Sequence, residues 1–212
     1  MSPEDFIKAN ARLMAPPLVP EITLHLASEV VPLWRATEDE LARIGLPPPY
    51  WAFAWAGGQA LARYVLDHPE TVQGKRVLDI GAGSGLVGLA AAKAGAADVL
   101  AADIDAFSCA AIRLNAVANG VTLAVTQDDL IGTPGAWDVI MVGDLFYERP
   151  LAERLLAWLA PLDALALLGD PGRNYFPKSG IDKLASYSVQ TTRDLEDRDI
   201  RETGVYRLDI RG

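Results

Sequence analysis

The stretch "VLDIGAGSG", residues 77–85, decides the fold that this sequence predicts. Its first four residues are typical of a short buried strand, and Gly81, Gly83 and Gly85 follow. Glycines let a chain turn sharply and let a ligand approach the backbone. The next segment, "GLVGLAAAKAG", is typical of a helix, and the start of a helix offers unpaired N–H donors. A strand, a glycine-rich turn and a helix predict the first unit of a ligand-binding α/β sheet.

The rest of the chain continues this alternation of strands and helices. The apolar runs "DVLAADI", "LAVTQ", "WDVIMVG" and "ALALLGD" predict four more strands. Helices are predicted for "FSCAAIRLNAVANG", "RPLAERLLAWLA" and "SGIDKLAS", and the β-rich pieces "YSVQTTRDL" and "GVYRLDIRG" close the chain. The pattern predicts a Rossmann-like α/β fold, in which a seven-stranded, mostly parallel sheet has helices on both faces and a C-terminal antiparallel hairpin at one edge.

The first part of the chain has a different pattern. We predict that residues 1–49 form a helical N-terminal extension packed on a core domain of residues 50–212. Within the extension, "TEDELARIG" at residues 37–45 predicts a short helix, with Thr37 as its N-cap and Glu40 as the partner in a capping box. Three consecutive prolines, residues 47–49, end any helix before the core domain begins.

Composition narrows the class of protein. The 212 residues are 50% hydrophobic and 22% charged, as expected for one globular unit. A net charge of −9 disfavours nucleic acid as a partner and favours a lysine-bearing protein surface. The single cysteine, Cys109, excludes an intrachain disulfide and a cysteine-based zinc site. No secretory signal or membrane-spanning run is visible, so we expect a cytoplasmic monomer with no membrane partner and no bound metal.

Acidic residues follow the predicted strands at the edge where parallel sheets bind ligands. Asp103 ends the second strand and is placed to accept hydrogen bonds from ribose hydroxyls, although Asp105 is an alternative that would otherwise cap the next helix. Asp128 follows the third strand and is placed for the amino group of adenine. These positions predict a nucleoside pocket.

Two kinds of nucleoside cofactor fit the glycine-rich turn. Residues 83–88, "GSGLVG", satisfy the G-x-G-x-x-G pattern of dinucleotide sites, but the strand ends at Ile80, two residues too early for that frame. Asp79, inside the strand tail, would repel a pyrophosphate. The same carboxylate suits the cationic amino acid moiety of S-adenosyl-L-methionine, so a methyl donor is favoured over a nicotinamide cofactor.

The segment "GDLFYE", residues 143–148, follows the buried run "WDVIMV". A carboxylate and two aromatic rings at the mouth of an apolar strand are costly to desolvate without a ligand. We therefore place Asp144, Phe146 and Tyr147 in the predicted site.

The motifs resemble those of a known family. "VLDIGAGSG", "AADID" and "GDLFY" are similar to class I, seven-stranded methyltransferases with the D-x-x-Y signature of a protein-lysine-methylating branch. "PLVPEITLHL", "PPYWAFAWAGGQALARYVLDHP" and "LLGDPGR" extend the similarity over nearly the whole chain to the electron transfer flavoprotein β-subunit lysine methyltransferases. One departure is Ala56, which stands where the family has proline after the tryptophan.

The resemblance implies a class I methyltransferase domain at residues 50–212 that moves a methyl group from S-adenosyl-L-methionine to a lysine of the flavoprotein β subunit, leaving S-adenosyl-L-homocysteine. It implies that Asp144 stabilises the charge that grows on nitrogen, and that Tyr147 and Phe146 line a lysine channel. The resemblance also places Trp55 and Gln59 close to the cofactor. Asp170 and Arg173 follow the fifth strand at the functional edge of the sheet and are predicted to contact the substrate.

Other functions fit parts of the sequence. The substrate is alternatively another protein, such as a ribosomal protein, or a small-molecule or nucleic-acid amine. Adenine-directed enzymes typically carry prolines, as in D-P-P-Y, which "DLFY" lacks. A non-catalytic binding protein and a dinucleotide oxidoreductase are further alternatives. The isolated His25 and His68 have no carboxylate partner in the sequence pattern and are not expected to be catalysts.

Overall fold

The computed structural model describes residues 2–27, 48–191 and 200–209. Its main feature is a seven-stranded sheet. The parallel strands are β3 (Arg76–Ile80), β4 (Asp98–Ala102), β5 (Ala124–Thr126), β6 (Val139–Gly143) and β7 (Leu165–Asp170), and the antiparallel ones are β8 (Ile181–Gln190) and β9 (Ile200–Leu208). The strands lie in the order β5-β4-β3-β6-β7-β9-β8. The predicted mostly parallel sheet with an antiparallel C-terminal hairpin is confirmed.

Five α-helices lie in the described part of the chain. They are α1 (Pro3–Asn10), α2 (Ala56–Asp67), α3 (Leu86–Lys93), α4 (Ala106–Asn119) and α5 (Arg149–Leu159). In that same part, no helix has the length and apolar character needed to cross a bilayer.

Side chains of β3 alternate between two core layers, as the period of a strand requires. Val77 packs with Leu61 of α2 and Val87 of α3 on one face of the sheet. Leu78 packs with Leu155 of α5 on the other face. Helices therefore cover both faces, as the alternation of strands and helices predicts.

Two local predictions are wrong. Residues 179–186, predicted as a helix, include the first half of β8, which pairs with β9 from Ile181 to Gln190. The N-terminal region is also not purely helical, because β1 (Arg12–Met14) and β2 (Leu24–Leu26) form a small antiparallel sheet. The helix predicted at residues 37–45 lies outside the described residues.

The N-terminal segment packs on α4. The ring of Phe6 in α1 meets the ring of Phe107 edge-on, with 5.4 Å between centroids. Asn119 of α4 accepts the N–H of Thr23 and donates to its carbonyl. The division of the chain after residue 49 stays a prediction.

Candidate functional site

A pocket of about 460 Å³ opens at the carboxyl ends of the parallel strands. It lies where the strand order reverses, with β4 and β5 on one side of β3 and with β6 and β7 on the other. Many residues predicted for the site line this pocket: Trp55, Asp79, Gly81, Gly83, Asp103, Asp128, Asp144, Tyr147 and Arg173.

The glycine-rich loop takes a backbone conformation that requires glycine. Gly81 has φ of 64°, and a Cβ atom there would lie 2.6 Å from Cδ2 of Leu145. Gly85, with φ of 81°, begins α3 in the left-handed region. The N–H of Gly83 points toward β4 and donates to Oδ2 of Asp103 at 2.8 Å. The loop therefore presents its backbone to the pocket.

Asp79 is a buried carboxylate beside this loop. It is 1% exposed, and its Oδ2 accepts the N–H of Gly88 in α3 at 2.7 Å. Burial, and to a lesser degree the nearby charge of Asp103, raises the pKa of Asp79 to about 7. A buried acid in a pocket is stabilised as the carboxylate when a cation binds beside it.

The two acids after β4 have different partners. Asp103 accepts N–H groups from Gly83 and Asp105, one on each carboxylate oxygen, and burial raises its pKa. Asp105 caps α4 by accepting the N–H groups of Phe107 and Ser108. The Asp105 oxygens are thus used by the helix start, whereas Asp103 joins the glycine loop to the end of β4.

The far side of the pocket is built by the loop after β5. Asp128 accepts a hydrogen bond from the hydroxyl of Thr126 at 2.6 Å. Asp129 pairs with Arg154 of α5, also at 2.6 Å. Leu130 lines the wall next to these acids. Arg154 was not predicted for the site, because it lies 25 residues after the acid in the sequence.

Asp144 lies directly after β6 in an unusual conformation. Its φ is 60°, a backbone conformation that residues other than glycine, asparagine and aspartate rarely adopt. The residue is 8% exposed. Its Oδ2 accepts the N–H of Gly58 at 2.8 Å, and its Oδ1 accepts from Nε and Nη2 of Arg173 at 3.1 and 2.6 Å. Burial raises the pKa of Asp144, and the Arg173 charge and the N–H donors oppose this change.

Glycines at the start of α2 allow this contact. A Cβ atom on Gly57 would lie 2.1 Å from the carbonyl oxygen of Gly169 and 2.6 Å from Oδ2 of Asp144. The helix therefore approaches the ends of β6 and β7 at backbone distance, so that its first N–H groups reach the carboxylate. Gly58 was not predicted as a site residue, although the "AGGQ" sequence at a helix start was a signal for such a close approach.

Aromatic rings surround the acid. Tyr147 is 40% exposed and lies 6.0 Å, between ring centroids, from Tyr50, which lies 6.1 Å from Trp55. The guanidinium carbon of Arg173 is 5.7 Å from the Trp55 ring centroid. Burial raises the pKa of Tyr147 to about 12. Tyr50 was not predicted for the site.

Four predicted residues do not line the pocket. Phe146 is fully buried in the core, edge-on to Phe176, so it does not form a channel wall. Gln59 is buried and donates to the carbonyl of Ala54 at 2.6 Å. Asp170 is buried and accepts the N–H of Arg173, and Gly85 is the N-cap of α3.

Asn115 of α4 is a structural residue. It is fully buried, accepts the N–H of His25 in β2 and donates to the carbonyl of Ser84 in the glycine-rich loop, both at 2.8 Å. The N-terminal segment is thereby tied to the pocket. Within the described ranges, no cluster of three or more His, Cys, Asp or Glu side chains could hold a metal ion.

The strand order and the pocket over its reversal are those of the class I, seven-stranded methyltransferase fold. The same fold occurs in the magnesium protoporphyrin IX methyltransferase (ChlM) of Synechocystis PCC 6803, solved with bound SAM, with a TM-score of 0.54 and 17% identity over 72% of this chain and 79% of that one. A family profile for ribosomal protein L11 methyltransferase (PrmA) matches residues 59–144.

Sequence relatives identify the family. The chain is similar to the electron transfer flavoprotein beta subunit lysine methyltransferase of Xenopus laevis, with 38% identity over 98% of this chain and 87% of that protein. The enzyme of the same name from Homo sapiens is 38% identical over 83% of this chain and 70% of its own length. The chain belongs to the electron transfer flavoprotein β subunit lysine methyltransferase family, which confirms the resemblance found in its motifs.

Proposed function

We propose that this protein transfers a methyl group from S-adenosyl-L-methionine to lysine Nζ of the electron transfer flavoprotein β subunit. The observation that carries the proposal is the similarity to enzymes of that name along almost the entire chain. The pocket adds a physical reason, because it combines a nucleoside-sized cavity with an acid and aromatic rings at its mouth.

The residues of the pocket fit this donor. Asp79 supplies a buried carboxylate for the donor's ammonium group, and Asp103, fixed by the Gly83 N–H, supplies acceptors for ribose hydroxyls. Asp128 is placed for the adenine amino group beside the apolar wall of Leu130. When bound, the donor supplies an electrophilic methyl group on a sulfonium.

The acceptor side must position an uncharged amine in line with that methyl group. With a pKa near 10.4, only about one lysine in 2,500 is neutral at pH 7, which costs roughly 4.6 kcal/mol. Positive charge grows on nitrogen during transfer, and the Asp144 carboxylate stabilises it. Tyr147 and Trp55 form the walls for the alkyl chain and attract the methylated product through their ring faces.

Tyr147 does not take the lysine proton. Because burial raises its pKa to about 12, its hydroxyl stays protonated at neutral pH. The proton leaves the lysine through water.

The test is methyl transfer from tritium-labelled donor to purified flavoprotein β subunit. Asp144→Asn is the sharp variant, because asparagine tolerates a positive φ and keeps an acceptor for the Gly58 N–H. We expect it to bind S-adenosyl-L-homocysteine like the wild type and to lose transfer by about 100-fold or more. Asp98→Asn, at the exposed start of β4, is the control. Full activity of Asp144→Asn would exclude Asp144 from the mechanism. If the wild-type enzyme is active but leaves the β subunit unlabelled, the flavoprotein subunit is not its substrate.

A ribosomal protein is the second candidate substrate. It is favoured by the L11 methyltransferase profile that matches residues 59–144. Ribosomal protein L11 placed in the same assay distinguishes the two, because label on L11 and none on the flavoprotein subunit would reverse the assignment.

We further infer that the partner is a protein rather than a nucleic acid or a membrane, and that the enzyme acts as a cytoplasmic monomer. The net charge of −9 supports a lysine-bearing partner. Light scattering of the purified protein and fractionation of the cells that make it test the oligomeric state and the compartment.

A further inference from the structure

Arg173 is held in a defined place by the loop after β7. Asp170, 1% exposed at the end of that strand, accepts the N–H groups of Gly172 and Arg173 on its Oδ1, both at 2.7 Å. This tight turn sends the Arg173 side chain toward the loop after the neighbouring strand β6. The turn therefore fixes the backbone from which the Arg173 side chain extends.

The guanidinium group balances the charge of Asp144. Its Nε and Nη2 both donate to Oδ1, while Oδ2 is held by the Gly58 N–H. The Arg173 side chain is only 21% exposed and lies over the Trp55 ring, so the pair is largely shielded from water. A shielded pair of opposite charges acts on a nearby group more strongly than an exposed one.

This pairing bears on how the lysine loses its charge. A lone carboxylate beside the acceptor favours the ammonium form, whose nitrogen has no lone pair to attack with. Pairing the carboxylate with a guanidinium weakens this preference, because the guanidinium charge disfavours a second cation while the lysine binds. The carboxylate stays next to the nitrogen and stabilises the charge that grows on it during transfer.

We propose that Arg173 is a positioning residue that partly offsets the charge of Asp144 and so lets the acceptor lysine bind as the free amine. The inference rests on the proposed function. The lysine first gives a proton to water; its nitrogen lone pair then forms the N–C bond while the S–C bond breaks and its electron pair stays on sulfur. The positive charge passes from sulfur to nitrogen, next to the Asp144 carboxylate.

Other charged and titratable groups face this pair from several elements. Asp170 from β7 and Tyr147 from the loop after β6 interact electrostatically with the pair itself. Tyr50, Glu148 and Asp103 act on it at one remove, through their charges or hydroxyl beside Tyr147. Burial raises the pKa of Asp170 to about 6 and that of Tyr147 to about 12. Neither of these two therefore changes charge in the range where a bound lysine is expected to titrate.

The experiment measures kcat at saturating flavoprotein subunit and donor, from about pH 6.5 to about pH 10, since kcat reports groups in the bound complex. Wild type, Arg173→Gln and Arg173→Lys are compared, with Arg149→Gln as a control at an exposed arginine outside the pocket. Donor affinity and thermal stability are measured for each variant.

For Arg173→Gln, we expect the ascending limb of the profile to move up by about one pH unit, because an unpaired carboxylate now favours the ammonium. Near pH 7 kcat falls about tenfold and recovers at high pH, while KM for the protein substrate does not rise. Arg173→Lys keeps a cation, so the ascending limb of its profile stays at the wild-type pH, although loss of the two-nitrogen contact with Oδ1 lowers kcat at every pH. Arg149→Gln keeps both the limb and the kcat of the wild type.

Two results overturn the assignment. A kcat that falls by the same factor at every pH in both Arg173 variants would show a role in holding the loop alone. A wild-type profile for Arg173→Gln would show that its charge does not matter. A wild type that methylates nothing would instead overturn the proposed function, and this inference with it.

Discussion

The carboxylate of Asp144 accepts the backbone N–H of Gly58, 86 residues earlier in the chain, at 2.8 Å. The contact joins the loop after β6 to the first turn of α2, where free N–H groups and the helix dipole favour a negative charge. Asp144 is consequently fixed on both of its oxygens, by α2 on one and by Arg173 on the other. The acid of the D-x-x-Y segment is positioned before any substrate arrives.

The close approach of α2 to the ends of β6 and β7 predicts different effects on stability when two adjacent glycines are replaced by alanine. Gly57→Ala places a Cβ atom 2.1 Å from the Gly169 carbonyl oxygen, so α2 must move away and we expect a loss of roughly 1–3 kcal/mol in the free energy of unfolding. Gly58→Ala meets nothing closer than Cγ2 of Val87 at 3.9 Å and keeps its N–H. It should retain wild-type stability. Urea unfolding of both variants checks this, and equal stability of the two would contradict the close approach.

Much of the fold follows from local patterns. Strands β3, β4, β6 and β7 are short apolar runs that end at turns, and their parallel pairing follows from the helices between them. Residues 179–186 show where local patterns fail to predict the structure. Ile181 and Leu184 are three residues apart, a spacing that also fits one face of a helix. Pairing with β9, which is remote in sequence, decides in favour of the strand.

The site, like the fold, could be predicted only in part from the sequence. Placing acids at strand ends located Asp103 and Asp144 at the pocket, because the carboxyl ends of parallel strands share one edge. The ion pair between Asp144 and Arg173 was not predicted, since it depends on β6 and β7 being neighbours with Gly143 opposite Gly169. The prediction that Phe146 lines a lysine channel was wrong for a different reason. The direction of its side chain in the loop depends on packing against Phe176, which lies later in the sequence.

The pKa of Asp79 predicts how donor binding depends on pH. Its value of about 7 means that the carboxyl group is largely protonated below that pH, and it must lose this proton before it can pair with an ammonium group. Affinity for S-adenosyl-L-homocysteine should therefore weaken as the pH falls below about 7, approaching tenfold per pH unit. Calorimetry at several pH values measures this. Asp79→Asn should bind more weakly at pH 8 and lose the dependence; an unchanged slope would assign it to another group.

The same shift has a consequence for stability without donor. The pKa of Asp79 rises from 3.8 to about 7 on folding, so the folded state holds a proton that the unfolded chain has released. The contribution of Asp79 to stability is fully present below pH 3.8 and is lost as the pH rises through about 7. Asp79→Asn should flatten the stability profile in this window, as thermal unfolding at fixed ionic strength can show.

Asp103 should affect donor binding before it affects the fold. Asp103→Ala removes the acceptor for the Gly83 N–H and the proposed ribose contact, and we expect affinity to fall about tenfold or more. Asp105→Ala removes the α4 cap instead and should cost about 1 kcal/mol of stability. Calorimetry and unfolding on both variants separate the two effects. An unchanged dissociation constant for Asp103→Ala would exclude the ribose contact.

Two variants of Tyr147 distinguish the role of its ring from that of its hydroxyl. Because its pKa of about 12 keeps the hydroxyl protonated, Tyr147→Phe should transfer methyl groups within a few-fold of the wild type. Tyr147→Ala removes the wall that packs near Tyr50, so the lysine is poorly aligned and kcat/KM should fall by more than about tenfold. Tyr175→Ala, at a similarly exposed tyrosine that does not line the pocket, is the control. Equal losses in the Phe and Ala variants of Tyr147 would show that the hydroxyl, and not the ring, acts on the substrate.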